Sequence, residues 1–259
     1  MNIAIITGAS SGLGKEFARQ MDLHPAFDRI DEFWLVARNQ DRLRTFASTL
    51  LHKSRVFVMD VTDDEKLEQL ENAVKEQHAK VRMLVNCAGY GIIGTFDKQS
   101  REEQTGMVRL NCEALTNITH RMIPYMKRGS RIIQLASCAA FFPQPDFAVY
   151  AASKAYVLRF AQALGTELRE RGIYVTAVCP GPVDTPFFDR AEQHGKMLAI
   201  KKFIMVKANQ VVAQALRDSL HKRTKSVYSL PVLGLELLSK VIPHDFATFF
   251  MKKMEICRR

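Results

Sequence analysis

The sequence predicts a doubly wound α/β fold, a parallel sheet of about seven strands with helices on both faces. Three observations carry this. Short, almost unbroken apolar runs recur along the chain, as strands covered on both sides must be. Longer segments with helical apolar spacing separate them. The first apolar run leads directly into a glycine-rich turn that opens a helix.

Taken in order, "IAIIT" (3–7) is the first strand and residues 12–24 the first helix. The connection that follows, "HPAFDRIDE", is long for its place. "FWLVA" (33–37), "RVFVM" (55–59), "RMLVN" (82–86), "RIIQLA" (131–136) and "YVTAV" (174–178) continue the strand series. Helical patterns over 40–52, 63–79, 101–128 and 150–171 lie between them. Residues 182–207 lack strand character and read as a long functional loop with short helices. A helix over 208–222, a short strand near 225–229 and an apolar, basic tail over 230–259 complete the chain. With no internal repeat and no low-complexity linker, residues 1–259 read as a single domain.

The formal charge is +10, but the basic residues are scattered in small clusters such as "HKRTK" (221–225) and the Lys pairs at 201–202 and 252–253. A solvated basic surface accounts for this, and no nucleic-acid partner is expected. An anionic cofactor, an acidic substrate or a membrane surface would use the charge equally well. Five scattered cysteines, none in a C-x-x-C pair, suit a reducing cytosol, and no Cys/His set has metal-ligand spacing. The start "MNIAIITG" carries no leader-like segment, and no stretch reaches the ~20 apolar residues of a membrane-spanning helix. A cytoplasmic protein is therefore expected.

Chemistry concentrates at the strand ends. In "TGASSGLG" (7–14), Gly8, Gly12 and Gly14 let the backbone turn tightly and approach a diphosphate, while the helix beyond offers free N–H groups and positive dipole character. The spacing is G-x-x-x-G-x-G, not the commoner G-x-G-x-x-G. After the second strand, where a free ribose 2′-hydroxyl calls for an acidic residue, the chain has Ala37 and then Arg38. A guanidinium suits a phosphate, so NADP(H) is preferred over NAD(H); a solvated loop arginine is the plainer alternative. In "YAASK" (150–154), Tyr150 and Lys154 stand one helical turn apart with only small residues between. Ser137 ends the fifth strand, where its hydroxyl would orient a substrate carbonyl or cap a turn. Asn111 sits mid-helix, where Asn is a poor helix former.

The glycine loop joined to Ser137 and Tyr150 resembles the short-chain dehydrogenase/reductase family, a Rossmann-type fold. The matching pieces are "TGASSGLG" (7–14), "DVTD" (60–63), "NCAG" (86–89), Asn111 in "RLNCEA", Ser137 in "LASCAA", "YAASK" (150–154) and "PGPVDTP" (180–186), in the family's order over residues 1 to about 190. The family more often reads N-N-A-G in the middle motif; here Cys87 replaces the second Asn and leaves Ala88–Gly89 intact. The resemblance implies a catalytic set of Asn111, Ser137, Tyr150 and Lys154. Tyr150 would be the general acid in reduction and the base in oxidation. Lys154 would lower its pKa from ~10 and hold the nicotinamide ribose. Asn111 would kink its helix and hold a water toward Lys154, with a satisfied core amide as the competing role. For the cofactor, the resemblance implies that Thr7, Ser10, Ser11 and Leu13 join the three glycines around the diphosphate. Asp60 and Val61 would lie beside the adenine, and Asn86, Ala88 and Gly89 beside the adenosine ribose. Pro180, Gly181, Val183 and Thr185 would wall the nicotinamide. No metal is implied. Paired helices 101–128 and 150–171 suggest a homodimer or homotetramer. Cys138 and Cys179, beside these motifs, read as small buried hydrophobes.

Substrate choice is expected from residues 90–96, 139–149 and 182–207, where Tyr90, Phe141, Phe142, Phe147, Phe187, Phe188 and Met197 favour an apolar carbonyl or alcohol of steroid, fatty-acyl or lipid type. The tail carries helical stripes at Leu235, Leu238 and Ile242 and at Phe246, Phe249 and Phe250, beside Lys252 and Lys253. It packs on its own domain, covers the site, joins a dimer or lies on a membrane surface. The expected function is NADP(H)-dependent interconversion of a carbonyl and a secondary alcohol. The rivals are an NADP-binding regulator without turnover and a membrane-surface or nucleic-acid interaction protein.

Overall fold

The computed structural model describes residues 1–195 and 205–256. In chain order the strands are β1 (Asn2–Thr7), β2 (Glu32–Ala37), β3 (Lys53–Val58), β4 (Lys80–Asn86), β5 (Arg131–Leu135), β6 (Tyr174–Val178), β7 (Val183–Asp184), β8 (Val206–Lys207) and β9 (Lys225–Ser226). Seven of them form one sheet in the order β3-β2-β1-β4-β5-β6-β9, every neighbouring pair parallel. From β1 the sheet grows through β2 to β3 on one side and through β4, β5 and β6 on the other. The crevice outside the carboxyl ends of β1 and β4 is where such a sheet takes its ligand.

The helices are α1 (Gly12–Asp22), α2 (Gln40–Ala47), α3 (Asp64–Glu76), α4 (Arg101–Val108), α5 (Leu115–Met122), α6 (Ala148–Glu167), α7 (Phe187–Ala191), α8 (Ala208–Leu220), α9 (Leu230–Leu238) and α10 (His244–Ile256). Side-chain alternation sorts the core into two layers. Ala4 and Ile6 of β1, Phe33 and Leu35 of β2 and Val85 of β4 face Phe17, Leu43 and Val212 of α1, α2 and α8. Ile3, Ile5, Trp34, Val36 and Leu84 point the other way, onto Leu67 of α3, Ile118 of α5 and Val157 of α6. Helix starts follow the side chains: Asp63 accepts from the Lys66 N–H before α3, and Ser100 with Glu103 forms a capping box before α4.

Several expectations are corrected. The helix expected over 101–128 is α4 and α5 joined by a π-helical turn, Arg109–Ala114, and it closes in a 3-10 turn at Ile123–Tyr125, where Pro124 prevents continuation. The last of the main runs on the far side, β3, is only partly covered because it is the edge of the sheet. Residues 182–207 do contain strand: β7 and β8 pair in parallel, with α7 between them. Met197, Lys201, Lys202 and Cys257 lie outside the described residues. The long first connection holds a 3-10 turn, Pro25–Phe27, with Phe27 buried as an anchor.

Candidate active site

The turn from β1 into α1 is set by its glycines. Gly8 and Gly12 take positive φ (68° and 51°), open to glycine at little cost. A Cβ on Gly8 would sit 3.0 Å from the Ala88 N, and one on Gly14 would sit 2.7 Å from the Gly8 carbonyl carbon, so the loop closes only without side chains there. The Thr7 hydroxyl accepts from the N–H groups of Cys87 and Ala88, both at 3.1 Å, and ties the end of β1 to the end of β4. Ser11 precedes α1 but makes no side-chain cap, and the first turn carries no acidic residue. The positive helix end is therefore left to the cleft, a cradle that fits a diphosphate.

This cradle is one end of a cleft of ≈ 590 Å3 along the carboxyl ends of the strands. Ser10, Leu13, Ala88 and Gly89 line it at the cradle, and Arg38, Asp60 and Val61 line the adjoining wall. Arg38 stands 3.6 Å from Asp60. Burial works to raise the Asp60 carboxyl, but the N–H and hydroxyl of Thr62, at 3.0 and 2.8 Å, and the Arg38 guanidinium hold it below the usual range. Pro180, Gly181, Val183 and Thr185 close the wall after β6. Gly181 also lets α9 approach, since a Cβ there would meet the Val232 side chain at 2.8 Å.

Ser137, Tyr150 and Lys154 all face this cleft. Phe147 stacks on the Tyr150 ring, centroids 4.2 Å apart, and the Phe187 ring lies tilted to it at 5.6 Å. Lys154 is 4 % exposed, its Nζ donates to the Leu135 carbonyl at 2.7 Å and stands 5.7 Å from the Tyr150 ring centroid. Burial lowers the Lys154 pKa to about 8. For Tyr150, burial pushes the phenol well above its ordinary value, and the group pulling it down is the Ser137 hydroxyl, its hydrogen-bond partner, rather than Lys154. In this geometry the Lys154 ammonium is turned onto the Leu135 carbonyl, and burial outweighs any lowering of the phenol by it.

Asn111 lies in the π turn, the kink expected of it, yet its side chain is a fully used core amide. Its Oδ1 accepts from the Tyr90 N–H at 3.1 Å, and its Nδ2 donates to the Tyr90 carbonyl at 2.9 Å and to Ser153 Oγ at 3.0 Å. Ser153, in sequence only a small spacer, thereby ties the π turn to α6, and its hydroxyl bonds the Tyr150 carbonyl at 2.8 Å.

Five expected site residues do not line the cleft: Thr7 and Asn111, held as described above, and Asn86, Phe141 and Phe142. Asn86 is buried beneath the cleft, its Nδ2 donating to Thr119 Oγ1 and Gln134 Oε1 at 2.9 and 3.0 Å, so its side chain does not border the cleft. Phe141 and Phe142 belong to the core below the sheet end, where Phe142 meets the His244 ring of α10 at 5.6 Å. Phe142→Ala is expected to cost about 3–5 kcal/mol of stability, read by urea unfolding, with substrate KM unmoved. Tyr90, Phe147, Phe187 and Phe188 do line the cleft. So do Arg42, Gln144, Arg190, Val232 and Leu235, which sequence reasoning missed. Arg42 was within reach, one helical turn after Arg38; for the others nothing in the chain links position 235 to position 150 except the fold itself. Part of the tail thus walls the cleft, while Leu230, Leu237, Phe246 and Phe249 stay exposed. Cys179 is buried, and burial pushes its thiol up to about 12, fitting a small buried hydrophobe; Cys138 is only half-buried and lines the cleft.

With this geometry in place, the comparisons decide the family. A family model described as short chain dehydrogenase matches residues 2–196. The chain belongs to the short-chain dehydrogenase family. This dehydrogenase is 30 % identical over 232 residues to an uncharacterised oxidoreductase of Staphylococcus epidermidis, covering 89 % of the chain and 97 % of that relative. It is 33 % identical over 196 residues to sulfoacetaldehyde reductase 2 of Chromohalobacter salexigens, covering 72 % and 74 %. A solved short-chain dehydrogenase from Sphingobium yanoikuyae, in complex with NADPH, superposes with a TM-score of 0.76 at 26 % identity, over 94 % of this chain and 97 % of that one. The short-chain dehydrogenase described here is accordingly an oxidoreductase of alcohol and carbonyl groups with a nucleotide cofactor. Among its described residues no His, Cys, Asp or Glu group could hold a metal, and no helix is long and apolar enough to cross a membrane.

Proposed function

We propose that this protein uses NADP(H) to interconvert a carbonyl and a secondary alcohol on a largely apolar substrate, with Tyr150 moving the proton. The observation that carries the reading is the shared cleft: the glycine cradle at one end, and the Ser137 hydroxyl paired with the Tyr150 hydroxyl further along it. When bound, NADPH supplies the hydride. Ser137, its Oγ held by the Ala139 N–H at 3.1 Å, steadies the carbonyl oxygen, and Tyr150 delivers the proton that turns that oxygen into a hydroxyl. Lys154, with a pKa near 8, is placed to hold charge next to the reacting pair and to pass a proton near neutral pH. Asn111 acts through Tyr90 and Ser153, fixing the walls around Tyr150.

The preference for NADP(H) rests on Arg38 and Arg42, two guanidinium groups on the wall next to the cradle. A charged hydrogen bond of about 1.5–3 kcal/mol predicts that Arg38→Asp moves the NADPH-to-NADH ratio of kcat/KM ten- to hundredfold toward NADH. An unaltered ratio in that variant would mean that the phosphate sits elsewhere. A cytoplasmic homodimer or homotetramer through α4–α5 and α6 belongs to the same reading, supported by the exposed Val108 and Tyr156 on those helices.

A further inference from the structure

One charged group in the cleft has no part in the chemistry above. Arg190, on α7, lines the cleft, and its guanidinium carbon stands 3.5 Å from the centroid of the Tyr90 ring. Tyr90 is itself held in place. Its hydroxyl donates to the Glu103 carbonyl at 3.0 Å, and its N–H and C=O are both taken by the Asn111 amide. The cation therefore rests on a fixed platform, and the stacking leaves its five N–H donors free to bind.

The carboxylate of Glu103, whose backbone carbonyl holds Tyr90, is already used. Glu103 receives the Ser100 N–H in the capping box and His194 Nε2 at 2.9 Å. Among the described residues no ion pair joins Arg190 to a carboxylate, and the Tyr90 ring is the partner of its guanidinium. The cleft it shares has a large apolar lining that includes Ile93, Phe147, Tyr150, Phe187 and Phe188. Filling that space with a wholly apolar ketone would strip water from a half-buried guanidinium and offer nothing in return. A carboxylate answers it with paired donors of matching geometry.

We infer that Arg190 is an anion subsite, and that the substrate is an oxo acid whose carboxylate is separated by an apolar segment from the carbonyl reduced at Tyr150. The inference rests on the oxidoreductase reading and narrows its substrate class from lipid-like to anionic amphiphile.

The test is a series of straight-chain oxo acids of increasing length, each beside its methyl ester, with NADPH oxidation followed in the wild type, R190Q and R190K. The acid of best-fitting length is expected to exceed its ester at least about tenfold in kcat/KM, through KM. R190Q raises the KM for that acid about 10- to 100-fold and moves the ester less than about threefold; R190K recovers part of the acid preference. An acid-to-ester ratio near one in the wild type, or the same ratio in R190Q, overturns the inference while leaving ketone reduction intact. A second readout needs no turnover: thermal shift of the NADPH-loaded protein with straight-chain carboxylates against the matching primary alcohols. Carboxylates that stabilise the wild type but not R190Q support the subsite; carboxylates no better than alcohols in the wild type refute it.

Discussion

Tyr150→Phe is expected to lower kcat for carbonyl reduction about 10²–10⁴-fold, the range lost when a positioned general acid is removed, while the NADPH Kd changes less than about threefold. The phenyl ring keeps the stack on Phe147 at 4.2 Å and the packing near Phe187, so the wall survives and the proton does not. Burial of Tyr150 adds a pH signature. Its folded pKa is raised, so the hydroxyl remains protonated through neutral pH, the form a reduction uses. Reduction should therefore be flat while Lys154 keeps its proton and fall above about pH 8, whereas oxidation, which needs the deprotonated phenol, should climb as the solution becomes alkaline. Steady-state kinetics in both directions, beside NADPH fluorescence titration, check the two halves together. Wild-type turnover in the variant would remove Tyr150 from the chemistry.

Gly14→Ala should be the most damaging change in the cofactor cradle. The added Cβ would lie 2.7 Å from the Gly8 carbonyl carbon and 3.0 Å from the Thr7 oxygen, against backbone that has no slack. Opening the loop to fit it displaces the N–H groups of α1, and the NADPH Kd should rise at least about 100-fold, about 2.7 kcal/mol. A graded comparison separates this from loss of folding. Gly12→Ala meets only the Thr185 side chain at 3.5 Å and carries the strain of φ 51°, so it should fall between. Gly234→Ala, in α9, meets nothing within 4 Å and should bind NADPH normally, with stability equal or up to about 1 kcal/mol higher. Isothermal titration with NADPH, with far-UV circular dichroism for folding, ranks the three. Equal affinity in Gly14→Ala would mean that the cradle does not hold the diphosphate.

Much of the architecture was legible because parallel strands covered on both sides leave an unmistakable apolar signature. β1 was expected from residue 3 and runs Asn2–Thr7; β6 was expected over 174–178 and is Tyr174–Val178. The two-layer core follows from the same alternation. The break in 101–128 was not legible as a boundary, since a π turn keeps the helical spacing on either side and only the placement of Asn111 hinted at it. β7 and β8 were hidden because two residues are too short for any periodicity.

At the site, motif residues were readable and distances were not. Ser137, Tyr150 and Lys154 meet in the cleft, but which atom the Lys154 ammonium chooses is decided by the Leu135 carbonyl beneath it. Aromatic residues near a motif are equally good as core or as wall. Phe147 and Phe142 lie five residues apart, and the former stacks on Tyr150 while the latter is buried against α10. Asn86 fails similarly, because the end of a strand places a side chain above or below the sheet end, and Thr119 and Gln134 claim this one from below. Leu235 reaches the cleft from beyond the motif region, through packing that no local pattern records, and Arg190 lies in the 182–207 stretch without any local pattern that singles it out.

The most direct test of the account is isotope transfer. The wild-type protein is incubated with NADPH deuterated at the nicotinamide C4 and a panel of straight-chain ketones and oxo acids, and the alcohols are read by mass spectrometry. The account predicts one deuterium on the carbinol carbon, from one face of the nicotinamide only, with the label lost from the product in Tyr150→Phe under conditions where NADPH still binds. Labelled product at the same rate from Tyr150→Phe, or bound NADPH that yields no labelled alcohol from any carbonyl in the wild type, would contradict it.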